Sequence, residues 1–237
     1  MGRETREFDA PEVLDGTIVL QLGYDGTGYS GFAEQPGQTT VAGEIRRAVE
    51  TFLRRPIELT CAGRTDAGVH AISQYVSFPA TAAELEITRS RWMRALVALL
   101  PRDIAVREVW HAAPGFSARF DARSRTYTYR IATGDAPPLL TRSVTWWHRQ
   151  ALDVEAMHAA AQRMLGERDF KSFCKASSAE GKPTHRCVIS AGSRKQLGRR
   201  LHHLYHLRKR LFALDGPNDC GNPCRGGHAS ARARMDR

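Results

Sequence analysis

Residues 16–24, GTIVLQLGY, put Ile18, Leu20 and Leu22 on one face of an extended segment, the period-two signature of a half-buried strand. A glycine-rich turn region follows, DGTGYSGFAEQPGQ at 25–38. Val41, Ile45, Ala48, Val49 and Phe52 then recur at helical spacing, with Thr40 placed to cap the helix. Residues 57–60 read as a short strand. Residues 74–78 read as another, with Tyr75 facing opposite to Val76. The stretch 88–100 reads as a helix behind Thr88, with Trp92, Leu96, Leu99 and Leu100 inward, and Ile104 to Trp110 as a strand. The order then restarts. Residues 124–133, SRTYTYRIAT, place Tyr127, Tyr129 and Ile131 on one strand face. Val154, Met157, Ala161, Met164 and Leu165 mark a helix ending at Gly166, and residues 188–191 and 201–207 are strands. Two successive strand-and-helix units predict an α+β fold of two ferredoxin-like, RRM-like halves with mainly antiparallel sheets. The halves are expected at 12–113 and 114–207, with the seam near Pro114-Gly115. Residues 208–237 have neither period and are expected to be an irregular, disordered tail.

The totals bound the function. The chain has 237 residues, 42% of them hydrophobic and 8% aromatic, ordinary values for a globular protein. It has no apolar run long enough to span a membrane, and its charged start predicts no secretory signal. Five cysteines without regular spacing fit free thiols in a reducing cytoplasm. The net charge of +10 favours a polyanionic partner, of which nucleic acid is the commonest. Residues 208–237 carry seven Lys/Arg and three Asp, so the tail supplies +4 of that charge and the rest of the chain +6.

The chemistry concentrates in CAGRTDAGVH, residues 61–70. It offers one carboxylate, Asp66, among side chains too small to bury much. A lone loop aspartate more often caps a helix or bonds its own backbone. Here Gly63 and Gly68 let another backbone or a planar ligand approach closely. Arg64 is suited to keep a carboxylate ionised or to pair with a phosphate. An ionised, uncrowded carboxylate serves as nucleophile or general base.

The decapeptide AGRTDAGVHA at 62–71 resembles the catalytic motif of the tRNA pseudouridine synthase A family. YDGTGYSGF (24–32), FSARFDARSRTYTYRI (116–131) and LDVEAMHAAAQRMLGERDFKSFC (152–174) resemble further family segments, in order, so the resemblance covers most of residues 17–207. It implies isomerisation of uridine to pseudouridine at positions 38–40 of the tRNA anticodon stem-loop, without cofactor or metal, by a cytoplasmic homodimer whose two halves flank a basic cleft. It implies Asp66 as nucleophile, attacking either the uracil ring or the ribose C1′. Arg64 would orient Asp66 or hold the backbone of a flipped-out nucleotide. Tyr127 would stack on the flipped uracil, with Arg125, Gly63 and Thr65 as further substrate-binding residues. Tyr24, Asp25 and Tyr29 read as RNA-loop or folding residues. Arg119, Arg123 and Arg130 read as phosphate contacts or as a solvated face.

The resemblance stops near Arg208. Members of the family continue with a strand and a helix of the type A-N-A-F-x-R-x-M-V-R-x-I-V-G-x-L, whose Arg pairs with the catalytic Asp. Residues 208–228 admit a choice of synonymous codons which, read one base later, spells A-N-A-F-L-R-W-M-V-R-T-I-V-G-T-L-V-E-V-G. A one-base frame slip from about residue 208 is therefore expected, and with it an alternative: an inactive, truncated RNA-binding remnant of the family. Cys220, Cys224 and His228 resemble part of a zinc site, but three ligands at that spacing suit no common zinc finger. His202 and His206 share a strand face and read as surface residues. No metal site is expected.

Overall fold

The computed structural model describes residues 13–174, 184–196 and 202–210. The chain divides into two compact units that meet in sequence between Ala122 and Arg123.

The first unit runs β1 (Gly16–Tyr24), α1 (Val41–Leu53), β2 (Thr60–Cys61), β3 (Ala71–Ala80), α2 (Ala82–Leu85), α3 (Arg89–Leu99) and β4 (Ile104–Ala112). Its sheet has the order β2-β3-β1-β4 with every pairing antiparallel. Apart from the one-turn α2, this is the split β-α-β-β-α-β arrangement expected from the alternation of periods. Ile18, Leu20 and Leu22 lie fully buried beside Val76 and Phe78 of β3, against Val41, Ile45, Ala48 and Val49 of α1 and Trp92 and Leu96 of α3. Both helices start as their cap residues dictate: Thr40 accepts from the Gly43 amide and Thr88 from the Arg91 amide. On β4, Val106 and Val109 are both buried although three apart, because a register shift after Gln21 of β1 changes which face the strand presents. The face away from the helices is closed too. Val19 and Ser77 are buried there, and the segment after β4 donates its Ala118 amide to the Ser77 hydroxyl at 2.9 Å.

The second unit contains β5 (Ser124–Thr133), β6 (Trp146–His148), α4 (Val154–Gln162), β7 (Gly166–Asp169), β8 (His185–Gln196) and β9 (His202–Arg210), besides two short 3₁₀ turns. Its sheet order is β6-β5-β9-β8-β7, antiparallel except for the β5–β6 pair. The helix α4 packs on β8, where Ala161, Val188 and Ala191 form a small core with Met164, Leu165 and Phe170 around it.

Several expectations shift, among them the strand placed at 188–191, which runs over His185–Gln196. The strand placed at 57–60 forms only at Thr60–Cys61, with Ile57 buried under α1 rather than paired in the sheet. The strand expected at 74–78 extends over Ala71–Ala80. The helix expected to end at Gly166 stops at Gln162, and Gly166, at φ +86°, opens β7. Residues 208–210, expected to begin the tail, complete β9, with Arg210 paired between Ser124 and Cys187. Residues 211–237, including Cys220, Cys224 and His228, lie outside the described residues.

Candidate active site

The loop 62–70 leaves β2, passes Asp66 and enters β3. Its incoming arm is pinned at successive residues. The Ala62 amide bonds the Tyr75 carbonyl at 2.9 Å, and the Gln74 side-chain amide donates to the Gly63 carbonyl at 2.5 Å. The Phe32 amide donates to the Thr65 carbonyl at 2.9 Å, and the Thr65 hydroxyl lies 2.7 Å from the phenol oxygen of buried Tyr24. Burial pushes the Tyr24 phenol above its ordinary pKa, so it stays protonated and able to donate. Beyond Asp66 the chain turns sharply: the Val69 amide returns to the Asp66 carbonyl, and Gly68 takes φ +77°, a conformation natural to glycine.

The glycine-rich region 24–32 is the backing of this loop. A Cβ on Gly26 would lie 2.1 Å from the Val69 carbonyl oxygen, and one on Gly31, already at φ +99°, would lie 3.1 Å from the Thr65 carbonyl oxygen. Two backbones pass in near-contact, which only side chains of no size permit. The region is anchored in turn to the connection before β4: the Tyr29 hydroxyl donates to the Asp103 carboxylate at 2.6 Å, and the Asp25 amide to the Asp103 carbonyl at 2.9 Å. Burial and the Asp103 carboxylate together drive the Tyr29 phenol well above its ordinary pKa. These bonds commit Tyr24, Asp25 and Tyr29 to holding the two loops together.

What this scaffold presents is bare. Arg64 and Asp66 are exposed, while Gly63 and Thr65 are half-buried. Among the described residues, no hydrogen bond or ion pair engages the Asp66 carboxylate or the Arg64 guanidinium, so the two are not paired with each other. Tyr127 and Arg125 lie on β5 of the second unit, with Tyr127 37% exposed. No cluster of three His, Cys, Asp or Glu suited to a metal occurs among the described residues. Nor is any helix among them long and apolar enough to cross a membrane. The spacing of His70 and Gln74 in the sequence gives no sign of a role; only the folded chain brings Gln74 to the Gly63 carbonyl and His70 Nδ1 to within 3.0 Å of Asp25 and 3.2 Å of the Gly26 amide nitrogen.

The first unit thus holds a loop carboxylate open to solvent on a scaffold fixed by backbone packing. Comparison with known proteins supplies the class. A family model described as tRNA pseudouridine synthase matches residues 22–121. A tRNA pseudouridine synthase A of Caldicellulosiruptor bescii is 40% identical over 174 residues, 73% of this chain and 70% of that protein. One of Streptomyces avermitilis is 44% identical over 177 residues, 72% of this chain and 61% of that protein. One of Aeromonas hydrophila is 37% identical over 179 residues, 74% of this chain and 65% of that protein. The chain belongs to the tRNA pseudouridine synthase family, and spans roughly two thirds of the length of these relatives.

Proposed function

We propose that this chain carries the machinery of a tRNA pseudouridine synthase acting on uridines 38–40 of the anticodon stem-loop, with Asp66 as nucleophile. The observation that carries the reading is the Asp66 loop: an exposed carboxylate, unpaired among the described residues, on a scaffold whose neighbouring polar groups are bonded inward. In the reaction the N1–C1′ glycosidic bond breaks and a C5–C1′ bond forms. C5 loses its proton and N1 gains one, so product and substrate are isomers and no redox partner or cofactor is required. Asp66 attacks the uracil ring or the ribose C1′, and either route needs the nucleotide turned out of its stack. Arg64, two residues away on the same loop, meets the backbone of the flipped nucleotide as a cation. Gly63 and Thr65 shape the floor, Tyr127 stacks on the uracil, and Arg125 contacts phosphate. The working form is a homodimer in the cytoplasm.

The test is pseudouridine formation in an unmodified tRNA carrying uridine at 38, 39 or 40. Asp66→Asn keeps the shape of the side chain and removes the nucleophile, so it abolishes turnover while tRNA affinity stays within about threefold. Turnover by the Asn variant comparable to the parent would exclude Asp66 as nucleophile.

A further inference from the structure

The incoming arm of the Asp66 loop is held by four hydrogen bonds; what holds the outgoing arm is less obvious. The strand pairing supplies the candidate. Tyr24 of β1 pairs with Ala71 of β3, so Asp25 and His70 are the first residues beyond the last pair and face each other as the strands part. There His70 Nδ1 lies 3.0 Å from Asp25 Oδ1 and 3.2 Å from the Gly26 amide nitrogen. One ring nitrogen cannot serve both: it offers a lone pair to Gly26 or a proton to Asp25. Asp25 decides between them. Its Oδ1 already accepts from the Thr27 amide at 3.0 Å and the Thr27 hydroxyl at 2.6 Å, bonds that hold the carboxyl ionised below its ordinary range. Facing an ionised carboxylate at 3.0 Å, a bare Nδ1 lone pair is repelled and an Nδ1–H makes a charge-assisted bond.

We propose that His70 is a positioning residue for Asp66, and that it acts by donating Nδ1–H to Asp25. Resting on the assignment of Asp66 above, the proposal adds the device that keeps the carboxylate in place. The chain from Asp66 to His70 is a single turn, closed by the Val69 amide on the Asp66 carbonyl. Fixing His70 therefore fixes the far end of that turn, beside the close approach of Gly26 to the Val69 carbonyl. Asp25 is tied through its amide to Asp103 and so to the start of β4. The clasp thus refers the catalytic loop to the sheet itself.

The full chain is labelled with ¹⁵N-histidine, and hydrogen exchange is followed across residues 61–71. Imidazole nitrogen shifts at neutral pH report His70 protonated at Nδ1; a ring protonated only at Nε2 overturns the proposal. In His70→Ala, exchange of the Asp66–His70 amides rises by about tenfold or more while that of β1 is unchanged. In His70→Asn, whose side-chain amide supplies a donor at the position of Nδ1, protection returns to within about threefold of the parent. Exchange in the Ala variant equal to the parent, or no rescue by Asn, refutes the clasp. Where turnover is measured, His70→Ala lowers kcat about 10- to 100-fold with KM for tRNA unchanged, and Asn restores most of it. Unchanged kcat in the Ala variant refutes the positioning role. Failure of the functional reading is a separate result, turnover retained by Asp66→Asn, and it leaves the exchange experiment standing as the test of the clasp.

Discussion

Asp66 stands open because of what surrounds it rather than what touches it. Glycines 26 and 28 look alike in the sequence, yet a Cβ on Gly26 would sit 2.1 Å from a carbonyl oxygen while one on Gly28 would meet nothing within 4 Å. Gly26→Ala therefore destabilises the protein by about 1–3 kcal/mol, the range of overpacking in a site that cannot yield, and Gly28→Ala changes stability by under about 0.5 kcal/mol. Urea unfolding of the two variants checks the contrast, and equal midpoints would show that the loops separate freely. Tyr127 presents a second residue-scale question, ring or hydroxyl. A stacking role, worth roughly 1–3 kcal/mol per base, predicts that Tyr127→Phe binds tRNA nearly as well as the parent and Tyr127→Ala binds about 10-fold worse or more, which affinity measured at one fixed salt concentration decides.

Elements of the first unit are joined by an ion pair of unusual reach. Arg55, just after α1, donates through Nε and Nη2 to the Glu84 carboxylate of α2 at 2.6 and 2.7 Å, and through Nη2 also to the Pro79 carbonyl at the end of β3. Glu84 simultaneously completes a capping box with Thr81. Burial by itself would raise the Glu84 carboxyl; the Arg55 guanidinium and the Thr81 amide outweigh it and leave the group below its ordinary pKa. A depressed carboxyl contributes stability that is present above its unfolded pKa, about 4.3, and lost as pH falls through the lower folded value. Glu84→Gln accordingly lowers stability by about 2 kcal/mol at pH 7, and the gap from the parent closes as pH is taken below about 4. A gap independent of pH would assign the loss to packing instead of charge.

At the scale of the whole molecule the two units differ in how well their sheets are covered. In the first, both faces of the sheet are closed around Val19 and Leu20. In the second, directly paired residues share a face, so Tyr127 and Tyr129, opposite Leu207 and Tyr205 and through them Ala191 and Ser193, lie on the face that carries α4. The helix bonds β8 there: the Gln162 side chain donates to the Ala191 carbonyl and the Ser193 hydroxyl to the Val154 carbonyl. Tyr127 and Tyr129 nevertheless stay 37% and 61% exposed. We propose that the segment spelled by the shifted frame from residue 208 is the missing cover. Its Met-Val-Arg helix would lie over β9 and the Tyr129 end of β5, leaving the Tyr127 ring open to a base. Restoring that frame raises the melting temperature by several degrees and raises or establishes pseudouridine formation. The gene sequence around codons 205–212 is the direct check: a sequence that cannot be shifted into that reading ends the idea.

By itself the sequence determined where the helices begin and which faces go inward. Thr40 and Thr88 are caps because a hydroxyl satisfies an amide that the helix cannot, and Ile18, Leu20 and Leu22 face the core because a strand alternates, both of them local rules. Asp66 and Arg64 were legible as candidates through motif and spacing, and α+β architecture through the alternation of periods. Only the tertiary structure decided the rest. The bulge that turns Val106 and Val109 to one side depends on a neighbouring strand. The extent of the two-residue β2 is set by its partner: it forms where Ser77 and Val76 of β3 offer ladder positions to Thr60 and Cys61. The clasp between His70 and Asp25, distant in sequence, exists because antiparallel strands deliver them to the same point. The openness of Asp66 has the same origin. Its neighbours Gly63, Thr65 and Val69 are bonded elsewhere, to Gln74, Tyr24 and Phe32 and to the turn itself, and that commitment of surrounding polar groups is a property of the folded arrangement that no single segment encodes.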